Sequence, residues 1–177
     1  AIAGNVIDFG APVRIDISEA LERSVRSEVP EEGIEELRER VLRAKSIAYV
    51  LDNAGEVVFD ELLVEVLAEE NPSARVRVFA RSSPFLNDIT LDELLELDLP
   101  WGDRVELRGM APWREEEVRE VVRGHDLVIA KGQANFEAFS EEDVFFLLMA
   151  KCEPVAGELG SKVGDVVVRY GGRPRFI

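Results

Sequence analysis

From Ser46 onward the chain alternates short, almost purely apolar runs with amphipathic stretches, and few architectures accept that alternation. "SIAYVLD", "RVRVFAR", "RVELRG", "DLVIA" and "VFFLLMA" read as strands, with "VGDVVVRY" as a late one. "GEVVFDELLVEVLAEE", "LDELLEL" and "REEEVREVVRG" read as the helices between them. Strands that are apolar on both sides need cover on both sides, which places helices on either face of a parallel sheet. The expected fold is therefore α/β: a three-layer α/β/α sandwich around a Rossmann-like, mostly parallel sheet.

Two helical stretches, 11–30 and 31–45, precede that alternation. In the second, Ile34, Leu37, Val41 and Leu42 recur at helical spacing with charges between them. The expected organisation is an N-terminal helical segment over 1–45 and an α/β domain over 46–177. No internal repeat or low-complexity segment interrupts either part.

Composition removes several function classes. The formal net charge is −15, from 36 acidic and 21 basic residues. A surface that acidic repels nucleic-acid phosphate and anionic membrane, so neither is an expected partner. Cys152 and His125 are the single cysteine and histidine. One cysteine excludes an internal disulfide and a cysteine-based zinc site, and one histidine leaves little for His-rich metal centres or a Ser-His-Asp triad. His125 precedes its strand and reads as a turn residue at the opposite sheet edge from Lys131. Trp101 and Trp113 read as packing anchors. No membrane span or signal peptide is visible, and a reduced, cytoplasmic setting is expected.

An open parallel sheet binds its ligands beyond the carboxyl ends of the strands. After "SIAYVL" come Asp52, Asn53, Ala54, Gly55 and Glu56. Asn53 and Glu56 have the spacing of a capping box, which accounts for them structurally but does not require Asp52. The helix start at Ala54, Gly55 and Glu56 also offers backbone N–H groups to an anion. After "RVRVFAR" the loop carries Asn87 and Asp88, just ahead of a second capping box at Thr90 and Glu93. Asn87 and Asp88 read either as an Asx turn or as a second carboxylate delivered to the same rim. After "DLVIA" come Lys131, Gly132, Gln133 and, further on, Asn135. Lysine is scarce here, and one at a strand end is either a snorkelling surface group or an ammonium that pairs with phosphate. Three strand ends thus bring two carboxylates, amides and an ammonium to one rim. Oxygen donors without His or Cys suit a hard divalent cation, Mg²⁺ or Mn²⁺ first.

"LDNAGEVVFDELL", "NDIT" and "AKGQANFEAF" resemble the signature segments of the metal-dependent damage-control phosphatase family, long catalogued as domain of unknown function 89. "AIAGNVIDFG", "AKCEPVA" and "VGDVVV" resemble that family's pattern too, so the likeness runs end to end. The resemblance implies an α/β sandwich holding one divalent metal ion on Asp52, Asn53 and Asp88, with Lys131 contacting phosphate. It widens the metal to Mg²⁺, Mn²⁺, Co²⁺ or Ni²⁺. Asn5 and Asp8 belong to a matching segment near the pocket. The implied activity is hydrolysis of phosphate monoesters of small metabolites, sugar phosphates or damaged phospho-metabolites and cofactors, by a metal-activated water. The family usually carries a helical region before the "GN" segment. The corresponding expectation is that 1–45 is a remnant of it, completed by a separate helical chain or by a homo-oligomer.

Two other readings stand beside the phosphatase. One is an S-adenosylmethionine-dependent carboxyl methyltransferase, an activity ascribed to some relatives, although no Gly-rich loop of the G-x-G-x-x-G type follows a strand. The other is a non-catalytic metal-binding fragment. Covalent attack by Asp52, in the manner of haloacid dehalogenase phosphatases, lacks its second acid, because position 54 is alanine.

Overall fold

The computed structural model describes residues 29–111 and 114–171. Its elements run α1 (Glu31–Arg43), β1 (Ser46–Val50), a 3₁₀ turn (Ala54–Glu56), α2 (Val57–Glu70), β2 (Arg75–Arg81) and α3 (Leu91–Glu96). They continue through a second 3₁₀ turn (Gly102–Arg104), β3 (Val105–Met110), α4 (Glu115–Arg123), β4 (Leu127–Lys131), α5 (Gly132–Phe139), β5 (Phe145–Met149), α6 (Glu153–Leu159) and β6 (Val166–Tyr170).

The strands form one six-stranded sheet in the order β3-β2-β1-β4-β5-β6. Every neighbouring pair is parallel except β5 with β6. The chain therefore winds outward from β1 to β3, then returns to β4 on the other side of β1. That reversal makes a topological switch point between β1 and β4, where the loops of an open sheet part to leave a crevice.

Alternation along the strands divides the core into two layers. Ile47, Tyr49, Val76, Val78, Leu127, Ile129, Phe145 and Leu147 face α1, α2 and α3. Ala48, Val50, Phe79, Val128, Ala130, Phe146 and Leu148 face α4, α5 and α6. The three-layer α/β sandwich with a mostly parallel sheet is as the apolar runs require. Helix α1 lies directly on β6, for a Cβ on Gly33 would stand 2.1 Å from the Val168 carbonyl oxygen. Only glycine permits that approach.

Of the expected stretch 11–30, only Val29 and Pro30 are described, and neither is helical. Two helices, α5 and α6, were not legible in the sequence. The first starts on the residue after β4, and the second is seven residues long and ends at Gly160 in the left-handed region, φ 65°. Trp101 is buried and its indole N–H donates to the Glu61 carbonyl, 3.4 Å; Trp113 lies outside the described residues. Among the described residues no helix is long and apolar enough to cross a membrane.

Candidate functional site

The site begins where β1 runs out. Asp52 accepts a hydrogen bond at its backbone oxygen from Ile89 N–H, 3.0 Å, and Ala54 N–H donates to the Asn87 carbonyl, 2.9 Å. These two bonds flank an antiparallel bridge between Asn53 and Asp88. In such a non-hydrogen-bonded pair the Cα atoms come within about 4.5 Å and both side chains leave the ribbon on the same side. The same loop segment also ties to β2, since Arg81 N–H donates to the Ile89 carbonyl, 2.9 Å. The loop after β2 is thereby folded back across the ends of β1 and β2, and Asp88 is set beside Asn53.

The Asn53 carboxamide nitrogen donates to Asp52 Oδ2 at 3.0 Å and to Glu56 Oε1 at 2.8 Å. Both neighbours are carboxylate oxygens, so the nitrogen must be the end that faces them and Oδ1 the end turned away. The spacing of Asn53 and Glu56 suggests a capping box, and the structure corrects that reading. Asn53 makes no side-chain capping bond. The first turn is 3₁₀, and the two side chains bind one another instead.

Asp88 is held by Arg81, the last residue of β2, whose guanidinium contacts Asp88 Oδ2 through Nε and Nη2. Nη1 of Arg81 donates to Asn135 Oδ1, 3.0 Å. Asn135 in turn donates to the carbonyls of Leu51, 2.8 Å, and Lys131, 2.7 Å, fastening the end of β1 to the start of α5. Burial pushes the Asp88 carboxyl above its ordinary value, against the opposing pull of the Arg81 charge and hydrogen bond.

Lys131 ends β4, and its side chain is fully buried. Its ammonium donates to Glu56 Oε2 at 2.6 Å and to Asp60 Oδ1 at 2.8 Å. Burial works to lower the Lys131 pKa, but Asp60 and Glu56 outweigh it and hold it above the usual lysine value. Tyr49 O–H also donates to Asp60 Oδ1, 2.7 Å, and burial together with Asp60 raises the Tyr49 pKa. Asp60 Oδ2 is buried without a hydrogen-bond partner among the described residues. Gly132, with φ 77°, lies against the Asp52 carboxylate.

The sequence profile of the damage-control phosphatase ARMT1-like domain matches residues 1–167. The chain belongs to the damage-control phosphatase family. A damage-control phosphatase of Pyrococcus horikoshii is 37% identical over 177 residues, covering 94% of this chain and 61% of the relative. One of Archaeoglobus fulgidus is 30% identical over 184 residues, covering 96% of this chain and 62% of that protein. The crystal structure of a DUF89 family protein from Pyrococcus horikoshii superposes with a TM-score of 0.79 at 33% identity, over 96% of this chain and 63% of that one. The chain thus spans about three-fifths of the length of these relatives.

Do these residues fit the divalent metal implied by the damage-control phosphatase family? Among the described residues no three His, Cys, Asp or Glu side chains group closely enough to hold a metal by themselves. A site here must therefore recruit the Asn53 carboxamide alongside the carboxylates of Asp52 and Asp88, an all-oxygen set suited to a hard cation. Burial agrees. Asp52 and Asp88 are buried together with the Asn53 carboxamide, so the candidate oxygen donors are held inside the fold rather than on the solvated acidic surface. The residues fit.

The remaining expected positions fall variously. Ala54 and Gly55 are exposed on the turn beside Asn53, and Glu56 is fully buried beneath it. Asn87 is half-buried and bonds through its backbone oxygen. Asn5 and Asp8 lie outside the described residues. Gln133 accepts from Lys151 N–H, 3.2 Å, and donates to Cys152 Sγ, 3.3 Å, so that cysteine is half-buried in a polar contact. His125 lies at the opposite edge from Lys131, as its place before β4 requires, with Nδ1 2.7 Å from the Val121 carbonyl and Nε2 3.1 Å from Arg77.

Three residues packed around the candidate ligands escaped the sequence reading: Arg81, which contacts Asp88, and Tyr49 and Asp60, which lie behind Lys131. Asp60 did leave a signal. It shares the inner face of α2 with Val57, Val64 and Leu67, a carboxylate at helical spacing on an otherwise apolar stripe. Arg81 carried the weaker signal of a charge at the carboxyl end of a strand.

Proposed function

We propose that the chain is a metal-dependent phosphatase acting on phosphate monoesters of small metabolites, sugar phosphates or damaged phospho-metabolites and cofactors. The observation that carries the reading is the Asn53–Asp88 bridge at the switch point, with the buried Asp52 carboxylate beside it. The relatives named as damage-control phosphatases support the reaction class.

Asp52, Asn53 and Asp88 would hold the cation. Bound there, a divalent ion supplies neutralisation of phosphate oxygens and an activated water, the two needs of monoester hydrolysis. The chain's own residues do the rest. Arg81 favours the ionised form of Asp88 against its burial and holds it in register, while Asn135 keeps Arg81 from swinging away. Lys131 contributes positive charge from a fixed position, since reaching outward would break two buried ion pairs with Glu56 and Asp60. The exposed backbone at Ala54 and Gly55 is where a phosphate group can approach.

The test is hydrolysis of a generic phosphate ester and a panel of sugar phosphates by chelator-treated protein. Mg²⁺, Mn²⁺, Co²⁺ and Ni²⁺ are then added one at a time, with Asp88→Ala run in parallel. Turnover restored by metal and lost in Asp88→Ala supports the reading; turnover indifferent to chelator or to that substitution refutes it.

A further inference from the structure

We propose that Glu56 is a positioning residue that aims the oxygen of Asn53 at the cation site and fastens it to Lys131. The inference rests on the phosphatase reading, because it concerns the same cation. Glu56 is fully buried, and its two oxygens serve two different partners. Oε1 accepts from the Asn53 carboxamide at 2.8 Å, and Oε2 accepts from the Lys131 ammonium at 2.6 Å. One carboxylate therefore bridges a candidate metal ligand and the candidate phosphate-side cation, which stand 78 positions apart in the sequence.

The bridge decides a chemical choice. A carboxamide offers a cation its oxygen and repels it with its NH₂, and the two ends are nearly the same shape. Asp52 Oδ2 and Glu56 Oε1 both accept from Nδ2. Asn53 therefore cannot turn over while both carboxylates are present. Asp52 cannot do this alone, because as a candidate ligand its own oxygens are wanted by the cation. Glu56 is the acceptor with no competing duty toward the metal. Outer groups of this kind set ligand orientation and typically change metal affinity about 10–100-fold when replaced.

Glu56→Gln isolates the effect. Glutamine has one oxygen and one NH₂, but both partners at this position are donors. If the oxygen serves Lys131, the NH₂ meets the Asn53 NH₂; if it serves Asn53, the NH₂ meets the Lys131 ammonium. Either way the link from Asn53 to Lys131 is broken, and the orientation of Asn53 is less firmly selected. Asp60→Asn is the matched control: it is equally buried, removes the same charge and also contacts Lys131, yet it touches no candidate ligand.

The experiment is calorimetric titration of Mn²⁺ into chelator-stripped protein, with circular dichroism to verify folding. Glu56→Gln is expected to weaken Mn²⁺ binding by about tenfold or more. Asp60→Asn is expected to stay within about threefold of the unsubstituted chain, below the range usual for a lost orienting group. Equal losses in both variants, or full affinity in Glu56→Gln, would overturn the assignment. Should Glu56→Gln fail to fold, Glu56→Asp reads the same quantity, since the shorter side chain cannot span Asn53 and Lys131 together; unchanged affinity there overturns the proposal equally. Absence of Mn²⁺ binding by the unsubstituted chain would instead remove the cation site itself, and this role with it.

Discussion

Gly132 stands so close to Asp52 that no side chain fits between them: a Cβ on Gly132 would lie 1.8 Å from Asp52 Oδ2. The backbone adds its own demand, because φ at Gly132 is 77°. The glycine after Lys131 thus serves the carboxylate across the switch point as much as the turn it occupies. Gly132→Ala is expected to cost about 1–3 kcal/mol for the left-handed backbone alone. It should also displace Asp52, and a displacement near 1 Å at a reacting centre can cost about 100-fold in rate. Urea unfolding and metal-dependent hydrolysis, measured on the same preparation, check both expectations. A variant that loses stability but keeps its specific activity would separate Gly132 from the site.

Lys131 supplies the second prediction. Its ammonium neutralises Glu56 and Asp60 where both are fully buried. Removing one partner of a buried ion pair typically costs about 3–5 kcal/mol, because the survivors are left charged in an apolar setting. Lys131→Met should show a loss of that order in urea denaturation. Adding Asp60→Asn to it should recover part of the loss by removing one stranded charge. A Lys131→Met chain as stable as the original would mean that the carboxylates have other compensation.

Much of the fold was legible because its decisive signals are local. The run at β4 is apolar on both faces and is buried at every position, as its sequence demands. The capping box at Thr90 and Glu93 is present as spaced, with Thr90 Oγ1 accepting from Glu93 N–H, 3.3 Å. The identical spacing at Asn53 and Glu56 misled, because a 3₁₀ turn let the two side chains pair with each other rather than with the backbone. Asp60 and Lys131 lie 71 positions apart, and Arg81 and Asn135 lie 54 apart. No window on the sequence joins such partners; only the strand order does. The candidate ligands were visible as strand-end residues, and so were Glu56 and Asn135, whereas Arg81 on Asp88 and Asp60 behind Lys131 were not.

His125 gives a pH prediction away from the site. The Val121 carbonyl accepts from Nδ1–H and Arg77 donates toward Nε2, so the neighbours select the neutral Nδ1–H tautomer. Burial, together with the Arg77 charge, lowers its pKa below the ordinary 6.5, while the Val121 bond and nearby acids pull the other way. A base whose folded pKa is depressed binds its proton more readily when unfolded. Its contribution is therefore complete above about pH 6.5 and declines as pH falls from there toward the folded pKa. The fall in unfolding free energy between pH 7.5 and pH 5.5 should be smaller in His125→Asn than in the original chain. Equal falls would show that His125 does not titrate differently on folding.

The candidate oxygen donors of Asp52, Asn53 and Asp88 should make the fold respond to a cation whether or not a substrate is present. A ligand that binds only the folded state adds about 2.7 kcal/mol at a hundredfold excess over its Kd. For a chain of this size that raises Tm by roughly 5–10 °C. Chelator-stripped protein given Mn²⁺ should show a shift of that kind, and returning the chelator should reverse it. Asp88→Ala removes one candidate ligand, so its shift should shrink toward zero. Arg81 is then left without its carboxylate partner, and the metal-free Tm of Asp88→Ala should fall as well. A full Mn²⁺ shift surviving in Asp88→Ala would put the bound cation elsewhere on this acidic chain, and the bridge between Asn53 and Asp88 would then be a purely structural contact.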